Sequence, residues 1–328
     1  MTLIPITASK TGLQLAGDGG DLGGDIGGGQ GNKAPDLAIA AALKHLPASA
    51  PVVIMLHGKG YCPGVSGKDP HDLIFAPRAG HGRSRFVSWP RRLGFALPGP
   101  RQPLGLCIAL GWDASGRLWR ATAAADATAP MLARLIQIIR RADPSRRVDL
   151  IGHSLGVRII LGALPLLAAG SVGRVLMLAG ADFTHRALHA RASLAGAEAE
   201  FFNITTREND LYDFLFERAF SPRGAGASLG RGLPAAPNWL DIQLDNPATD
   251  LALRRLGLPL APPKSRICHW SVYLRPGVFR LYRALLHDRT RLTLPVLTES
   301  LATPPEPRWS RLRRRAQPIT APGLTQPL

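Results

Sequence analysis

The chain has 328 residues, 45% of them hydrophobic and 19% charged, which is enough for one large α/β domain or two ordinary ones with a proper core. No run reaches the roughly 18 apolar residues that a membrane span requires, and residues 1–6 are not a charged segment ahead of a signal-peptide core, so a cytoplasmic protein without a transmembrane segment is expected. The net charge of +17 comes mostly from arginines scattered along the chain, a pattern that does not point to a specific nucleic-acid surface. Cys62, Cys107 and Cys268 lie far apart without paired spacing, and neither a disulfide framework nor a metal site is expected.

In chain order, residues 17–31 carry the highest glycine density and read as a flexible surface loop, and residues 36–46 as a short Ala-rich helix. Residues 51–56 are a continuous apolar run with two valines and an isoleucine, the pattern of a strand buried on both faces, and they end in His57-Gly58-Lys59-Gly60. Residues 85–89 and 104–110 are further strand candidates. The three-to-four spacing of Leu132, Leu135, Ile136 and Ile139 predicts an amphipathic helix over 130–142, with Pro130 in its first turn.

The strand 147–151 then runs into Gly152-His153-Ser154-Leu155-Gly156 and a helix that Pro165 kinks or ends. Strands at 174–178 and 200–206, a helix at 211–220, and a final amphipathic helix at 278–287 follow. Residues 221–264 form a Pro- and Gly-rich excursion, expected to cover part of a pocket like a lid. Residues 1–300 are expected to be one domain, and 301–328 a basic Pro-rich tail. Its cluster Arg308-Trp309-Ser310-Arg311-Leu312-Arg313-Arg314-Arg315 reads as a solvated terminus capable of weak contact with an anionic surface. Alternating strands and helices argue for a parallel sheet covered on both faces. No Gly-x-Gly-x-x-Gly opens a helix after a strand with an acidic residue at the right distance, and Gly67-Lys68 fails as a phosphate loop, so no cofactor is expected.

A glycine on each side of Ser154 suits a sharp strand-to-helix turn that lifts the hydroxyl to the carboxyl edge of the sheet. A serine hydroxyl needs a base, and the base a carboxylate that fixes its tautomer and stabilises its positive form. Such partners come from loops at the carboxyl ends of later strands. Asp210, after the strand 200–206, is the expected acid; Asp182 competes with it, and Asp213 is a third candidate inside the next helix. His269 follows every candidate acid and precedes the last helix, whereas His287 ends a helix and His153 is directed elsewhere by its neighbouring position on the turn. The oxyanion needs two backbone donors. Leu155, at a helix start, is one; Lys59, with Gly60 beside it, is the other.

Together, strand-His57-Gly58-x-Gly60, Gly152-His153-Ser154-Leu155-Gly156, an Asp after a later strand and a His before the last helix resemble the α/β-hydrolase superfamily over residues 50–290, and in particular small bacterial esterase- and lipase-like members. The resemblance implies an α/β-hydrolase fold, with a mostly parallel central sheet and helices on both faces. It also implies carboxylic-ester or related acyl hydrolysis through an acyl-enzyme on Ser154, with no cofactor and a small-molecule substrate. Acyl transfer or thioester hydrolysis would use the same groups, and a non-catalytic binding module is the rival from another class.

Overall fold

The structure is a computed structural model and describes residues 3–16, 34–77, 86–96, 105–224, 226–301 and 304–313. Eight strands form one sheet: β1 (Leu3–Ser9), β2 (Gly12–Leu15), β3 (Val52–Leu56), β4 (Leu106–Trp112), β5 (Val148–His153), β6 (Val172–Leu178), β7 (Glu200–Thr205) and β8 (Trp239–Gln243), in the order β2-β1-β4-β3-β5-β6-β7-β8. Only the pair β1 and β2 is antiparallel; the remaining neighbours run parallel.

Strand periodicity sorts the side chains into two cores. In β3, Val52, Ile54 and Leu56 enter one core, while Val53 and Met55 enter the other. In β5, Val148 and Leu150 take the first face and Ile151 the second. His153 falls on the second face by the same alternation. Both faces are covered, which is why the strands read as uninterrupted apolar runs. On the first face lie α1 (Ala34–Lys44), α3 (Leu118–Ala142), α4 (Leu155–Ala163), α5 (Thr184–Ala192), α6 (Leu194–Glu198) and α7 (Asp210–Phe220). On the second lie α2 (Trp89–Arg92), α8 (Pro247–Arg255), α9 (Ser271–Leu274), α10 (Val278–His287) and α11 (Leu294–Leu301). No helix among the described residues is long and apolar enough to cross a membrane.

Several elements differ from expectation. The hairpin β1–β2 has no counterpart in the sequence reading; Gly12 permits its turn by adopting φ +127°. Within 85–89, Arg85 lies outside the described residues, and Ser88 caps α2 instead of pairing in a sheet, because its hydroxyl accepts from Arg91 N–H. Helix α3 begins at Leu118, twelve residues ahead of Pro130, because Ala121, Thr122, Ala125 and Ala129 extend the buried stripe. Pro130 is exposed on its outer side, where the loss of one backbone bond is tolerated.

The stretch 221–264 is not simply an excursion: it supplies β8, which pairs with β7, and α8. Its polar strand residue Asp241 is paired with Asn203 Nδ2 at 2.6 Å. The segment 304–313 is likewise docked rather than solvated. Arg308 Nη1 pairs with Glu217 at 3.0 Å, Glu306 N–H donates to Gln243 at 2.9 Å, and Arg311 Nη2 donates to Ser265 O at 3.1 Å. Residues 17–31, 314 and 315 lie outside the described residues.

A buried cation fastens the amino-terminal halves of β6 and β7 to the helix layer. Arg174 donates to Glu200 at 2.6 Å and to the carbonyls of Leu285 at 2.5 Å and Leu292 at 2.7 Å, so β6, β7 and α10 share one guanidinium. Replacing Arg174 with Ala strands these acceptors, and a destabilisation of about 3–5 kcal/mol is expected in urea unfolding. A loss below about 1 kcal/mol would show that water replaces the guanidinium.

Candidate active site

Ser154 stands between β5 and α4 with φ 54° and ψ −121°, a backbone conformation costing on the order of 1–3 kcal/mol for a residue with a Cβ. Its surroundings hold it there. Ser154 N–H donates to Leu178 O at 3.0 Å, and its carbonyl accepts from Val157 and Ala181 at 3.0 and 3.1 Å. The flanking glycines are needed for close approach: a Cβ on Gly152 would meet the Gly156 backbone at 3.0 Å, and one on Gly156 would meet Leu56 O at 2.7 Å and His57 O at 2.8 Å. The turn is therefore pressed directly against the end of β3.

The loop after β3 covers the serine. A Cβ on Gly58 would lie 2.8 Å from Ser154 Cβ. Gly60 N–H is already used by Ala114 O at 3.0 Å, whereas Lys59 N–H has no hydrogen-bond partner among the described residues. Leu155, the first residue of α4, has the free N–H of a helix start. Of the two donors considered after β3, the geometry leaves Lys59 available and removes Gly60.

His57 stiffens this loop. Its Nε2 accepts from Trp112 N–H at 3.1 Å, so the proton sits on Nδ1, which donates to Gly58 O at 2.8 Å. The Trp112 indole N–H in turn donates to His57 O at 3.2 Å. Burial holds the His57 pKa down to about 3, so this ring stays neutral and structural.

His269 reaches the same edge on a loop tied to the turn after β7. Cys268 N–H donates to Glu208 O at 2.8 Å and Ser265 N–H to Glu208 Oε1 at 3.1 Å. The His269 ring lies between Tyr212 and His153, with centroids 4.8 and 4.6 Å away. His153, the residue before Ser154, hydrogen-bonds the His269 carbonyl through Nε2 at 3.2 Å. Burial lowers the His269 pKa to about 4, so its imidazole is neutral at pH 7.

The group on His269 Nδ1 is not Asp210. Nδ1–H donates to Asn209 Oδ1 at 2.6 Å, which leaves Nε2 without a proton and without a partner among the described residues. Asp210, expected as the orienting acid, instead accepts from Trp309 N–H at 2.6 Å and pairs with Arg207 at 3.2 Å. The reason is local: Thr206 caps a 3-10 turn over Arg207–Asn209 by accepting from Glu208 N–H, and this turn aims Asn209 at the histidine and Asp210 at the docked C-terminal segment.

Asp182 is fully buried elsewhere, accepting from Phe183 N–H at 2.9 Å and pairing with Arg158 and Arg186, each at 3.0 Å. His287 Nε2–H donates to Leu93 O at 3.0 Å, on the second face. The structure thus gathers Ser154, Leu155, Lys59 and His269 at one edge and leaves Asp210 and Asp182 out. It adds Asn209, which charge-based reasoning passed over, on Nδ1 of His269. No protein-family model matches the chain, and no curated protein matches it.

Proposed function

We propose that the chain is an α/β-hydrolase-like serine hydrolase of carboxylic esters. The observation that carries this reading is the strained Ser154 turn beneath the Gly58 backbone, with the free Lys59 and Leu155 N–H groups beside it. A residue other than glycine held at positive φ is retained where the position of its side chain matters more than its cost.

In this mechanism Ser154 Oγ attacks the acyl carbonyl and its proton passes to His269 Nε2, the ring position left open by the bond to Asn209. Negative charge on the carbonyl oxygen is held by the N–H groups of Lys59 and Leu155, aided by the positive end of α4. The C–O bond to the alcohol breaks, and the imidazolium returns the proton to the departing oxygen. Water then gives a proton to His269, its oxygen bonds the acyl carbon, Ser154 leaves as the alcohol, and the acid is released. Asn209 fills the place usually held by a carboxylate, as an amide does in Cys-His-Asn proteases.

A fluorophosphonate should label the protein, with an Oγ–P bond forming as fluoride departs, and Ser154→Ala should remove the labelled peptide from the mass spectrum. Folded wild-type protein that stays unlabelled across pH 5–9 would end this reading.

A further inference from the structure

We propose that the cleft between α8, residues 261–266 and the docked segment 304–313 binds a phosphate group, with Arg275 and Arg311 holding its oxygens and the exposed Arg266 and Arg313 adding charge. None of the lining residues belongs to the candidate active site, and the proposal stands whether or not Ser154 is a nucleophile.

The charges of the wall do not balance. Arg254, Arg266, Arg275, Arg311 and Arg313 line the cleft against Asp245 and Asp250. Arg254 and Asp250 neutralise each other through a contact of 2.8 Å. Asp245 is turned into the protein: its side chain is fully buried, and its oxygens accept from Arg207 N–H, each at 3.0 Å, and from Gln243 Nε2 at 3.1 Å. Four guanidiniums are left against one buried carboxylate.

Two of the four are fixed in place. Arg275 is only 8% exposed; its Nε donates to Ala261 O and its Nη1 to Leu244 O at 2.9 Å, yet among the described residues it makes no ion pair and its Nη2 has no hydrogen-bond partner. A guanidinium buried to this extent is costly without a counter-charge. Burial accordingly lowers the Arg275 pKa, Arg311 adds to that fall, and Glu208, Asp245 and Asp250 oppose it without reaching pairing distance. Arg311 enters the same cleft from the docked segment. Its Nη2 donates to Ser265 O at 3.1 Å, while its Nε has no hydrogen-bond partner and lies 3.9 Å from Asp245 Oδ2. Guanidiniums already held by carbonyls lose little freedom when an anion arrives.

A phosphate group suits this wall better than a carboxylate. Its donors, Arg275 and Arg311 together with the Ser310 hydroxyl, come from different parts of the chain, and a tetrahedral oxyanion offers them acceptors in more than one plane, whereas a carboxylate offers two coplanar oxygens. The cleft, about 550 Å³, is larger than a phosphate ion fills, and Leu244, Pro247, Pro262 and Pro263 give it an apolar wall for an organic portion. A bound phosphate bridges Arg311 of the segment to Arg275 of the body.

Calorimetric titration of the full chain with inorganic phosphate and with phenyl phosphate, at about pH 7.5 where both are mostly dianionic, tests the site. Tighter binding of phenyl phosphate marks an organic phosphate as the ligand and tighter binding of inorganic phosphate marks the free ion; either upholds the site. Arg311→Gln should weaken binding by about 10- to 100-fold through the loss of charge-assisted bonds, and Arg311→Lys should recover only part of it, since the fork is lost. Arg266 makes no side-chain hydrogen bond or ion pair among the described residues, so Arg266→Gln keeps the fold and should weaken binding by about threefold. Arg134→Gln, which changes an exposed arginine of α3, should leave it unchanged. Saturating phosphate should also slow hydrogen exchange in residues 308–313. Failure of both phosphates to bind below about 10 mM, binding that survives Arg311→Gln and Arg266→Gln, or equal weakening by Arg134→Gln overturns the proposal.

Discussion

Replacing His269 with Ala should lower the turnover of an ester substrate by a factor on the order of 10⁶, the scale seen when a base acting as one unit with its nucleophile is removed. Asn209→Ala should cost far less. It deletes one buried hydrogen bond to a group that becomes charged, about 1–3 kcal/mol, or roughly 5–150-fold. Asp210→Asn should leave turnover within about threefold, since its carboxyl serves Trp309 N–H and Arg207 rather than the imidazole. A larger loss for Asp210→Asn than for Asn209→Ala would reverse this assignment. The pH dependence carries the same information: with the His269 pKa held near 4 by burial, the base stays unprotonated down to about that pH, and activity should fall only below it. Asn209→Asp would put a charge on Nδ1–H and raise that lower limb by about 1–3 units.

Gly156→Ala should lower activity by about a hundred- to a thousandfold and should also destabilise the fold. Its Cβ would lie 2.7 Å from Leu56 O and 2.8 Å from His57 O, both backbone atoms at the end of β3 that cannot rotate away. Relief requires moving either the Ser154 turn or the Gly58–Lys59 loop, which separates the serine from the proposed oxyanion donors. Overpacking of this kind costs about 1–3 kcal/mol, and for a chain of this size each kcal/mol lowers Tm by about 2–4 °C. Loss of one oxyanion donor adds about a hundred- to a thousandfold in kcat. Thermal unfolding together with single-turnover acylation measures both, and a variant with wild-type Tm and rate would show that the two segments are not in contact.

Much of the sheet was legible because parallel strands covered on both faces are uniformly apolar; residues 51–56 and 174–178 and the Ser154 turn announced themselves in this way. Strand β8 was hidden by its surroundings: five residues including Asp241, set among prolines and glycines, give no apolar run. The hairpin β1–β2 was hidden by its shortness and by Pro5 within β1. For the site, the glycines, the serine and the order of the histidine were readable because each reflects a backbone or chemical requirement. The residue on His269 was not, since choosing Asn209 over Asp210 depends on the phase of one 3-10 turn, and neighbours on such a turn point about a third of a rotation apart. The chemical preference for a carboxylate then selected the wrong neighbour. That Asp210 was already committed to a partner 99 positions away leaves no local trace.

That distant partner divides the native state into units that open separately. The segment 304–313 is held to the body by side chains and two backbone donors rather than by strand pairing: Glu306 N–H on Gln243, Arg308 on Glu217, Trp309 N–H on Asp210, Arg311 on Ser265. Such a strip can peel away while β3, β5 and β6 stay paired, at a free energy well below that of global unfolding. Its departure would hydrate the neighbourhood of Asp210 and remove Arg308 from the field acting on Asp213. In hydrogen-exchange terms, the amides of 308–313 should exchange as one weakly protected group, and the protonation of Asp210 and Asp213, both of which feel Arg308, is linked to how often that group opens.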